Sequence, residues 1–262
     1  DSTALWARTG LMDLVKPAPD SAPARSLPGM GDHPTAISMV AGIMMALYRR
    51  ERTGKGGECA TNLMANGLWW NAIWTQAALC GAKVEARPPR EEADNPMHNL
   101  YCAADGRWFH LVMITKPDRF AEVCRAVGLD HLAEDPRFET IESRKPHARA
   151  LIDAFDNVFR TKTWAEWKHI LTENRFTFGE IGTMEDIATD PQMRESGAIV
   201  PHPQPEKSGS GLTLSSPFWL TDTEKRPASM PPGLGEHNDD VLAELGFSEA
   251  EAAALRDGGA FG

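Results

Sequence analysis

One short stretch of the chain combines a carboxylate, a histidine and two glycines in a pattern that suits covalent chemistry. Residues 29–34 read Gly-Met-Gly-Asp-His-Pro, directly before a predicted apolar helix. The positive end of a helix dipole favours an anion, which makes the Asp32 carboxylate a candidate nucleophile. Gly29 and Gly31 let the backbone approach a ligand closely, and His33 is the only histidine beside the candidate. The alternative is structural, because aspartate is also one of the commonest helix N-caps.

The other candidate motifs do not support a second chemistry. The glycine-rich residues 53–57 lack the earlier glycine of a phosphate loop, since Arg49 stands at that position. The eight histidines never occur in the paired spacing of a zinc protease. The four cysteines lie about twenty residues apart, which is not the spacing of a zinc site or of a disulfide framework. The sequence therefore predicts no metal site, and a reducing cytoplasm as the location.

Composition excludes several classes of partner. The chain has 262 residues, of which 42% are hydrophobic and 24% charged, and this is typical of a globular protein. Its 37 acidic and 27 basic residues give a net charge of −10, which opposes binding to nucleic acid. The longest apolar run, residues 36–48, is shorter than the roughly 20 residues of a membrane helix. We therefore expect no membrane span, and we expect this run to form a buried core helix.

The elements around Asp32 follow from local signals. A helix is predicted over residues 35–48, with Asp32 or His33 as its cap and Pro34 at the first helical position. It should end before the glycine-rich turn at 53–57. A short strand is possible at 58–62, and residues 63–80 have the pattern of one helix.

Further along the chain, the signals favour a small mixed domain. Residues 101–112 are typical of a β-hairpin with its turn at Asp105-Gly106. Helical periodicity follows over 151–159, and Thr163 begins another helix through a capping box with Glu166. The remaining predicted helices are a short one between Asp190-Pro191 and Gly197 and two near the end, at 239–245 and 248–256.

Two proline-rich stretches divide the chain into four parts. Residues 1–82 are predicted to be part of a large domain that carries Asp32, and 83–97 a linker. Residues 98–200 form a predicted small domain. Residues 201–262 are a return linker, over 201–233, and a C-terminal part expected to pack with 1–82.

Four blocks, in the same order along nearly the whole chain, resemble family III CoA-transferases of the CaiB/BaiF type, which include formyl-CoA transferases. The first block comprises Gly31-Asp32-His33-Pro34-Thr35 and the segment 46–57, Ala-Leu-Tyr-Arg-Arg-Glu-Arg-Thr-Gly-Lys-Gly-Gly. The other three are Asn95-Pro96 with Tyr101 and 105–108, then 182–186 with 190–192 and Gly197, then 231–237 with 241–246. No block is specific alone, but together they are.

The resemblance implies an α/β fold with a Rossmann-like large domain, partial here, and a small α+β domain. It also implies an interlocked homodimer whose long linkers cross the partner. The family has a further N-terminal segment before the stretch that matches residues 6–10. That segment supplies most contacts to the CoA nucleotide, so we expect it either upstream of Asp1 or on a partner chain.

The resemblance also implies a mechanism based on Asp32. Its carboxylate would attack an acyl-CoA thioester, and the reaction would proceed through an aspartyl anhydride and an aspartyl-CoA thioester to an acceptor carboxylic acid. Gly29, Gly31 and His33 would contact the substrate or CoA, and nearby backbone N–H groups would hold the oxyanion. Coenzyme A would be a substrate, and no metal or redox cofactor is expected.

Two alternatives stay open at this point. A 2-methylacyl-CoA racemase of the same superfamily would also use the aspartate that matches Asp32, together with a glutamate after the Trp108 strand. That loop contains Thr115 and Lys116 instead, and its nearest acid is Asp118, so the pattern disfavours the racemase. The second alternative is a non-catalytic subunit of a split enzyme.

Overall fold

The computed structural model describes residues 1–114 and 118–261, and the chain divides into two compact units, Asp1–Ile181 and Gly182–Gly262. In the first unit the α-helices are α1 (Leu11–Leu14), α2 (Asp32–Thr53), α3 (Leu63–Trp70), α4 (Ala72–Leu79), α5 (Phe120–Val127), α6 (Asp130–Ala133), α7 (Ile141–Arg144), α8 (Ala148–Phe159) and α9 (Trp164–Glu173). Its strands are β1 (His98–Cys102), β2 (Trp108–Val112) and β3 (Phe178–Glu180). No helix within the described ranges is long and apolar enough to cross a membrane.

Helix α2 begins earlier than the sequence indicates. Gly31 is its N-cap, Asp32 is its first residue, and no side chain caps its first turn. The prediction of Asp32 or His33 as the cap was therefore wrong, because the turn before the helix already adopts helical backbone angles at Gly31. At the other end Gly54 takes the left-handed conformation and donates to the Arg50 carbonyl at 2.7 Å, which confirms the predicted glycine stop.

The expectation that residues 36–48 form a buried core helix is corrected by the structure. The helix exists, but none of the residues of α2, all of which the structure describes, is buried. Met44, Met45 and Tyr48 are more than half exposed. A helix that is hydrophobic on all sides is expected to be packed against other elements on all sides. The pattern does not show whether those elements belong to the same chain.

The segment after α2 differs from the prediction in two places. Residues 58–62 form no strand, since none of the described strands lies beside them to complete a sheet. The predicted single helix over 63–80 is divided into α3 and α4 at Asn71. The buried Asn71 side chain donates to the Thr9 carbonyl at 2.8 Å and accepts from the Thr75 hydroxyl at 2.6 Å. This long-range contact anchors the break to the π-helical turn Ser2–Ala7 and the residues after it.

The predicted hairpin is confirmed, and it belongs to a three-stranded antiparallel sheet in the order β1-β2-β3. Tyr101 pairs with Phe109 across β1 and β2, and His110 pairs with Gly179 of β3. Residues alternate between the two faces, so Tyr101, Phe109 and Leu111 are buried on one face. His98, His110 and Trp108 lie on the opposite face.

The buried face of this sheet packs on an aromatic core contributed by α5, α8 and α9. Phe159 makes ring contacts with Phe109 at 4.9 Å, Tyr101 at 5.0 Å and Trp167 at 5.2 Å between centroids. The Trp167 indole donates to the Phe159 carbonyl at 2.8 Å, so its polar atom is satisfied inside the core. The capping box of Thr163 and Glu166 is present and begins α9 as predicted.

The second unit contains short elements: α10 (Pro191–Glu195), β4 (Ile199–Pro201), α11 (Pro205–Ser208), β5 (Leu212–Leu214), α12 (Asn238–Glu244) and α13 (Glu249–Asp257). Strands β4 and β5 pair antiparallel, with Ile199 opposite Leu214. The prediction that 201–233 is only a linker missed this ribbon, because three-residue strands carry almost no periodic signal. The predicted helices at 190–197, 239–245 and 248–256 are confirmed to within one or two residues at either end.

Every strand pairing within the described residues is antiparallel. The parallel strands of a Rossmann-like domain are therefore not among them, and the Rossmann-like part of the predicted fold stays a prediction. The predicted domain boundaries at 82, 97 and 200 also stay predictions.

Candidate functional site

The Asp32 carboxylate is accessible at the start of the longest helix of the described chain. Its side chain is 61% exposed, and it begins a helix of 22 residues. The aligned peptide dipoles of α2 place partial positive charge at this end, which stabilises an anion there. An exposed carboxylate at such a position is able to meet a bulky electrophile.

The glycines before Asp32 are required by the shape of the turn. Gly29 has φ +81°, and a Cβ at this residue would lie 2.8 Å from the His33 ring. Gly31 is buried, and a Cβ there would collide with the Asp1 carboxylate and approach Leu5 to 3.0 Å. The turn therefore fits tightly against its own chain, which also means that part of its backbone is not open to a ligand.

An aspartate that the sequence analysis missed occupies this turn. The Asp1 carboxylate accepts from the Gly29 N–H at 2.6 Å and from the Gly31 N–H at 2.9 Å. The Asp1 α-amino group lies 3.7 Å from Asp32 Oδ1. These contacts span about thirty residues, so no local pattern pointed to them. They also show that two amides of this turn, on either side of Met30, bind a carboxylate.

The backbone donors expected for an oxyanion are thus partly used. The Gly29 and Gly31 amides are taken by Asp1, and the His33 amide donates to the Gly29 carbonyl at 3.1 Å. The Asp32 amide has no acceptor among the described residues. It is the remaining donor beside the candidate nucleophile.

His33 is held in one orientation beside Asp32. Its Nδ1 lies 2.6 Å from the Gly29 carbonyl oxygen. Because a carbonyl only accepts, Nδ1 carries the proton in this contact, and in the neutral ring Nε2 keeps the free lone pair. The exposed ring therefore presents an acceptor to solvent next to Asp32.

Polar residues on the first turns of α2 attach the site to α3. The Thr35 hydroxyl donates to the Gly31 carbonyl at 2.8 Å, and the Ser38 hydroxyl donates to the side chain of the buried Asn66. Asn66 in turn donates to Thr61 and to the Asn62 carbonyl, both at 2.8 Å. The sequence analysis missed this network, although a threonine and a serine in an otherwise apolar helix were a usable signal.

The position of Asp118 bears on the racemase alternative. Its carboxylate forms an ion pair with the buried Arg144 and accepts from the Phe120 amide at 3.2 Å. Arg144 also donates to the Thr140 carbonyl at 3.1 Å, so the pair anchors α7 beside α5. Asp118 is thus engaged in structure, while Thr115 and Lys116 lie outside the described residues. In the part of the chain that is described, no group of three or more histidine, cysteine or acidic side chains could hold a metal ion.

The family model for CoA-transferase family III matches residues 1–238 of the chain. The chain belongs to CoA-transferase family III. A curated relative, the (R)-2-hydroxy-4-methylpentanoate CoA-transferase of Clostridioides difficile, is 26% identical over 98% of this chain and 63% of its own length. The formyl-CoA:oxalate CoA-transferase of Streptomyces coelicolor is 27% identical over 92% of this chain and 62% of its own length. The chain therefore spans somewhat less than two thirds of these relatives.

A solved structure also resembles this family III chain. A CaiB/BaiF family protein from Brucella suis has a TM-score of 0.79 at 24% identity, over 93% of this chain and 62% of its own. This likeness confirms a mixed α/β fold of the CaiB/BaiF type. The roles predicted for Asp32, Gly29, Gly31 and His33 are outside what these comparisons test.

Proposed function

We propose that this family III chain is the Asp32-bearing part of a CoA-transferase that moves CoA from an acyl-CoA thioester to a carboxylic acid. The observation that carries the proposal is the exposed Asp32 carboxylate at the start of α2, preceded by a glycine turn, in a chain of this family. The curated relatives named above are CoA-transferases with different acyl groups, so the reaction class is better supported than the substrate.

The proposed reaction consists of four acyl exchanges. An Asp32 oxygen attacks the thioester carbonyl, the C–S bond breaks, and CoA thiolate leaves behind a mixed anhydride. The thiolate then attacks the Asp32 carbonyl of the anhydride, releasing the first carboxylate and forming aspartyl-CoA. The acceptor carboxylate attacks this thioester and expels the thiolate again, giving a second anhydride. Attack of the thiolate on the acceptor carbonyl of that anhydride forms the product and restores Asp32.

The helix start and the residues of the turn before it have separate roles in the proposed reaction. The α2 dipole stabilises the Asp32 carboxylate between turnovers. The Asp32 amide is the donor we assign to the developing oxyanion, since the Gly29 and Gly31 amides hold Asp1. His33 Nε2 is placed to accept a hydrogen bond from the substrate or from CoA. Acyl exchange between oxygen and sulfur transfers no electrons, so the scheme needs no redox cofactor, and none of its steps is assigned to a metal.

We further propose that another polypeptide segment covers the apolar surface around the site. The covered surface would include exposed side chains of α2, α3 and α4, among them Met45, Trp69 at 79% exposure and Ile73 at 81%. Large apolar side chains left exposed in such number on three neighbouring helices are typical of an interaction site. The Rossmann-like remainder of the large domain, on this polypeptide or a separate one, and the second subunit of an interlocked homodimer are the segments proposed to cover it. The four cysteines are unpaired, in keeping with a proposed cytoplasmic location.

The experiment is an exchange assay on the full-length protein in deuterated water. Formyl-CoA with oxalate and a chiral 2-methylacyl-CoA with a free carboxylic acid are the donor–acceptor pairs. Transfer predicts CoA on the added acid without deuterium at the α-carbon, and loss of at least about a thousandfold in kcat for Asp32→Asn, which removes the nucleophile.

The matched control is Asp130→Asn, because Asp130 is also exposed and is also the first residue of a helix. It should leave transfer unchanged. Full transfer by Asp32→Asn would contradict the mechanism, and α-deuteration without an acceptor would favour the racemase. A folded full-length protein that neither transfers nor exchanges the proton with any donor would favour the non-catalytic alternative.

A further inference from the structure

Two histidines stack on the outer face of the three-stranded sheet. The His98 and His110 rings lie 4.8 Å apart between centroids, and their planes differ by 14°. They belong to neighbouring strands and are two register positions apart, since His98 pairs with Val112 and His110 pairs with Leu100. Both side chains are half-buried, and neither forms a hydrogen bond or ion pair with another described residue. The hydrogen-bonding capacity of both rings is therefore not used within the described chain.

A further cation acts on His110. Burial lowers the pKa of His110, and the neighbouring His98 and Arg87, the latter an exposed residue of the segment before β1, lower it further. Arg87 has no ion-pair partner within the described residues. In a chain with a net charge of −10, three cationic or potentially cationic groups have therefore been left together without an acid.

The face beside His110 also has room for a ligand. The residue opposite His110 on β3 is Gly179, and paired residues of neighbouring strands point to the same face of a sheet. A Cβ on Gly179 would meet no atom within 4 Å. The third strand thus leaves open space next to the histidine pair instead of covering it.

We propose that His98, His110 and Arg87 form a binding site for an oxyanion, specifically a phosphate group, on the outer face of this sheet. A guanidinium and two imidazolium rings offer several N–H donors and the positive charge that a phosphate requires. The site is separate from Asp32, and it does not rest on the proposed transferase activity. A divalent cation fits less well, because parallel stacked rings do not converge their nitrogens on one point and Arg87 would repel the metal.

The proposed phosphate affinity should depend on pH. Without an anion, burial and the two neighbouring cations favour neutral His110. A bound phosphate reverses the balance for His110 and raises its pKa. By reciprocity, phosphate binds more tightly as the pH falls through the histidine range. The facing groups from the packed elements are Leu100 and Val112 of β1 and β2, Gly179 of β3 and Arg87, and none of them is acidic.

The test is a titration of the 262-residue chain with inorganic phosphate. Binding is monitored through the side-chain nitrogen and proton NMR signals of the histidines. At about pH 6, below the ordinary histidine pKa, the proposal predicts saturable shifts at His98 and His110 and none at His202. It also predicts a rise of about one unit in the pKa of His110 when phosphate binds. A second arm replaces phosphate by CoA: the same shifts assign the phosphate group to CoA, and their absence assigns it to a free phosphate.

Two pairs of variants make the outcome decisive. Arg87→Gln should weaken phosphate binding about tenfold, whereas Arg226→Gln, at another exposed arginine, should not. Gly179→Leu should abolish binding by filling the open space. Gly211→Leu, at a glycine with equally open surroundings, should keep it. The proposal is overturned by unshifted His98 and His110 signals, by equal affinity in Arg87→Gln, or by shifts that zinc produces and phosphate does not.

Discussion

The two parts of the first unit differ in how much of their apolar surface is buried. Residues 97–178 bury theirs within the chain: the Phe159 ring contacts those of Tyr101, Phe109 and Trp167, and all four residues are fully buried. The region of α2, α3 and α4 leaves most of its apolar side chains exposed, although it carries the candidate nucleophile. One part therefore buries its own apolar side chains, whereas the part with Asp32 exposes them and is the surface that we propose another segment covers.

A core substitution should reduce stability far more in the compact part than a surface substitution does in the part with Asp32. Phe159→Ala removes a fully buried ring from four aromatic contacts and should lower the free energy of unfolding by about 3–5 kcal/mol. Ile73→Ala, at an 81% exposed position of α4, should change it by less than about 0.5 kcal/mol in this chain. Urea denaturation measures both. Equal losses would remove the distinction between the two parts.

A second variant tests how the segment before β1 joins the compact part. Arg90 forms an ion pair with Asp156 of α8, donates to the Leu100 carbonyl at 2.9 Å, and lies over the Trp108 ring at 5.5 Å. Arg90→Ala should cost about 2 kcal/mol, because a mostly buried pair is broken and Asp156 keeps its charge. The control is Arg149→Ala, whose ion pair with Asp153 is exposed, and which should cost less than about 1 kcal/mol. Similar losses would mean that Arg90 does not anchor the segment.

The two parts should also differ in the reactivity of their cysteine thiols. Burial raises the pKa of the Cys124 thiol to about 12, whereas Cys80 lies exposed at the end of α4. Since the thiolate is the reactive form, Cys80 should be alkylated by iodoacetamide at about pH 8 and Cys124 should remain unmodified until the chain unfolds. Peptide mass spectrometry assigns the sites. Early labelling of Cys124 would show that the compact core opens readily.

The smallest effect is a pH dependence confined to the compact part. The pKa of His110 is lowered in the folded chain, so between that value and the ordinary histidine pKa the unfolded chain binds more protons. Its contribution to stability is therefore present above the unfolded pKa and decreases as the pH falls through the histidine range. His110→Gln should make the unfolding midpoint in phosphate-free buffer less sensitive to pH than in the parent chain, while His169→Gln should not. An unchanged slope for His110→Gln would contradict this reasoning.

Local signals predicted the elements that depend on neighbouring residues. The turn at Asp105-Gly106, the capping box at Thr163 and the helix stop at Gly54 are set by backbone conformation and short-range hydrogen bonds. The break at Asn71 and the occupation of the Gly29–Gly31 turn by Asp1 depend on residues about thirty to sixty positions away. The exposure of α2 was missed for a similar reason, because burial is decided by what packs on a helix and not by its own sequence. The glycine and histidine pattern at the helix start made Asp32 a candidate, the resemblance to the family supported it, and only the structure supplied its exposure.

The most direct test of the central claim is covalent trapping on Asp32 in the full-length protein. The protein is incubated with the acyl-CoA donor that it turns over, quenched with hydroxylamine, digested and analysed by mass spectrometry. We expect a hydroxamate on the peptide that contains Asp32, and we expect it only when the donor is present. It should be absent in Asp32→Asn and present in Asp130→Asn. A donor-dependent adduct on another residue, or transfer at the parent rate by Asp32→Asn, would contradict the central claim.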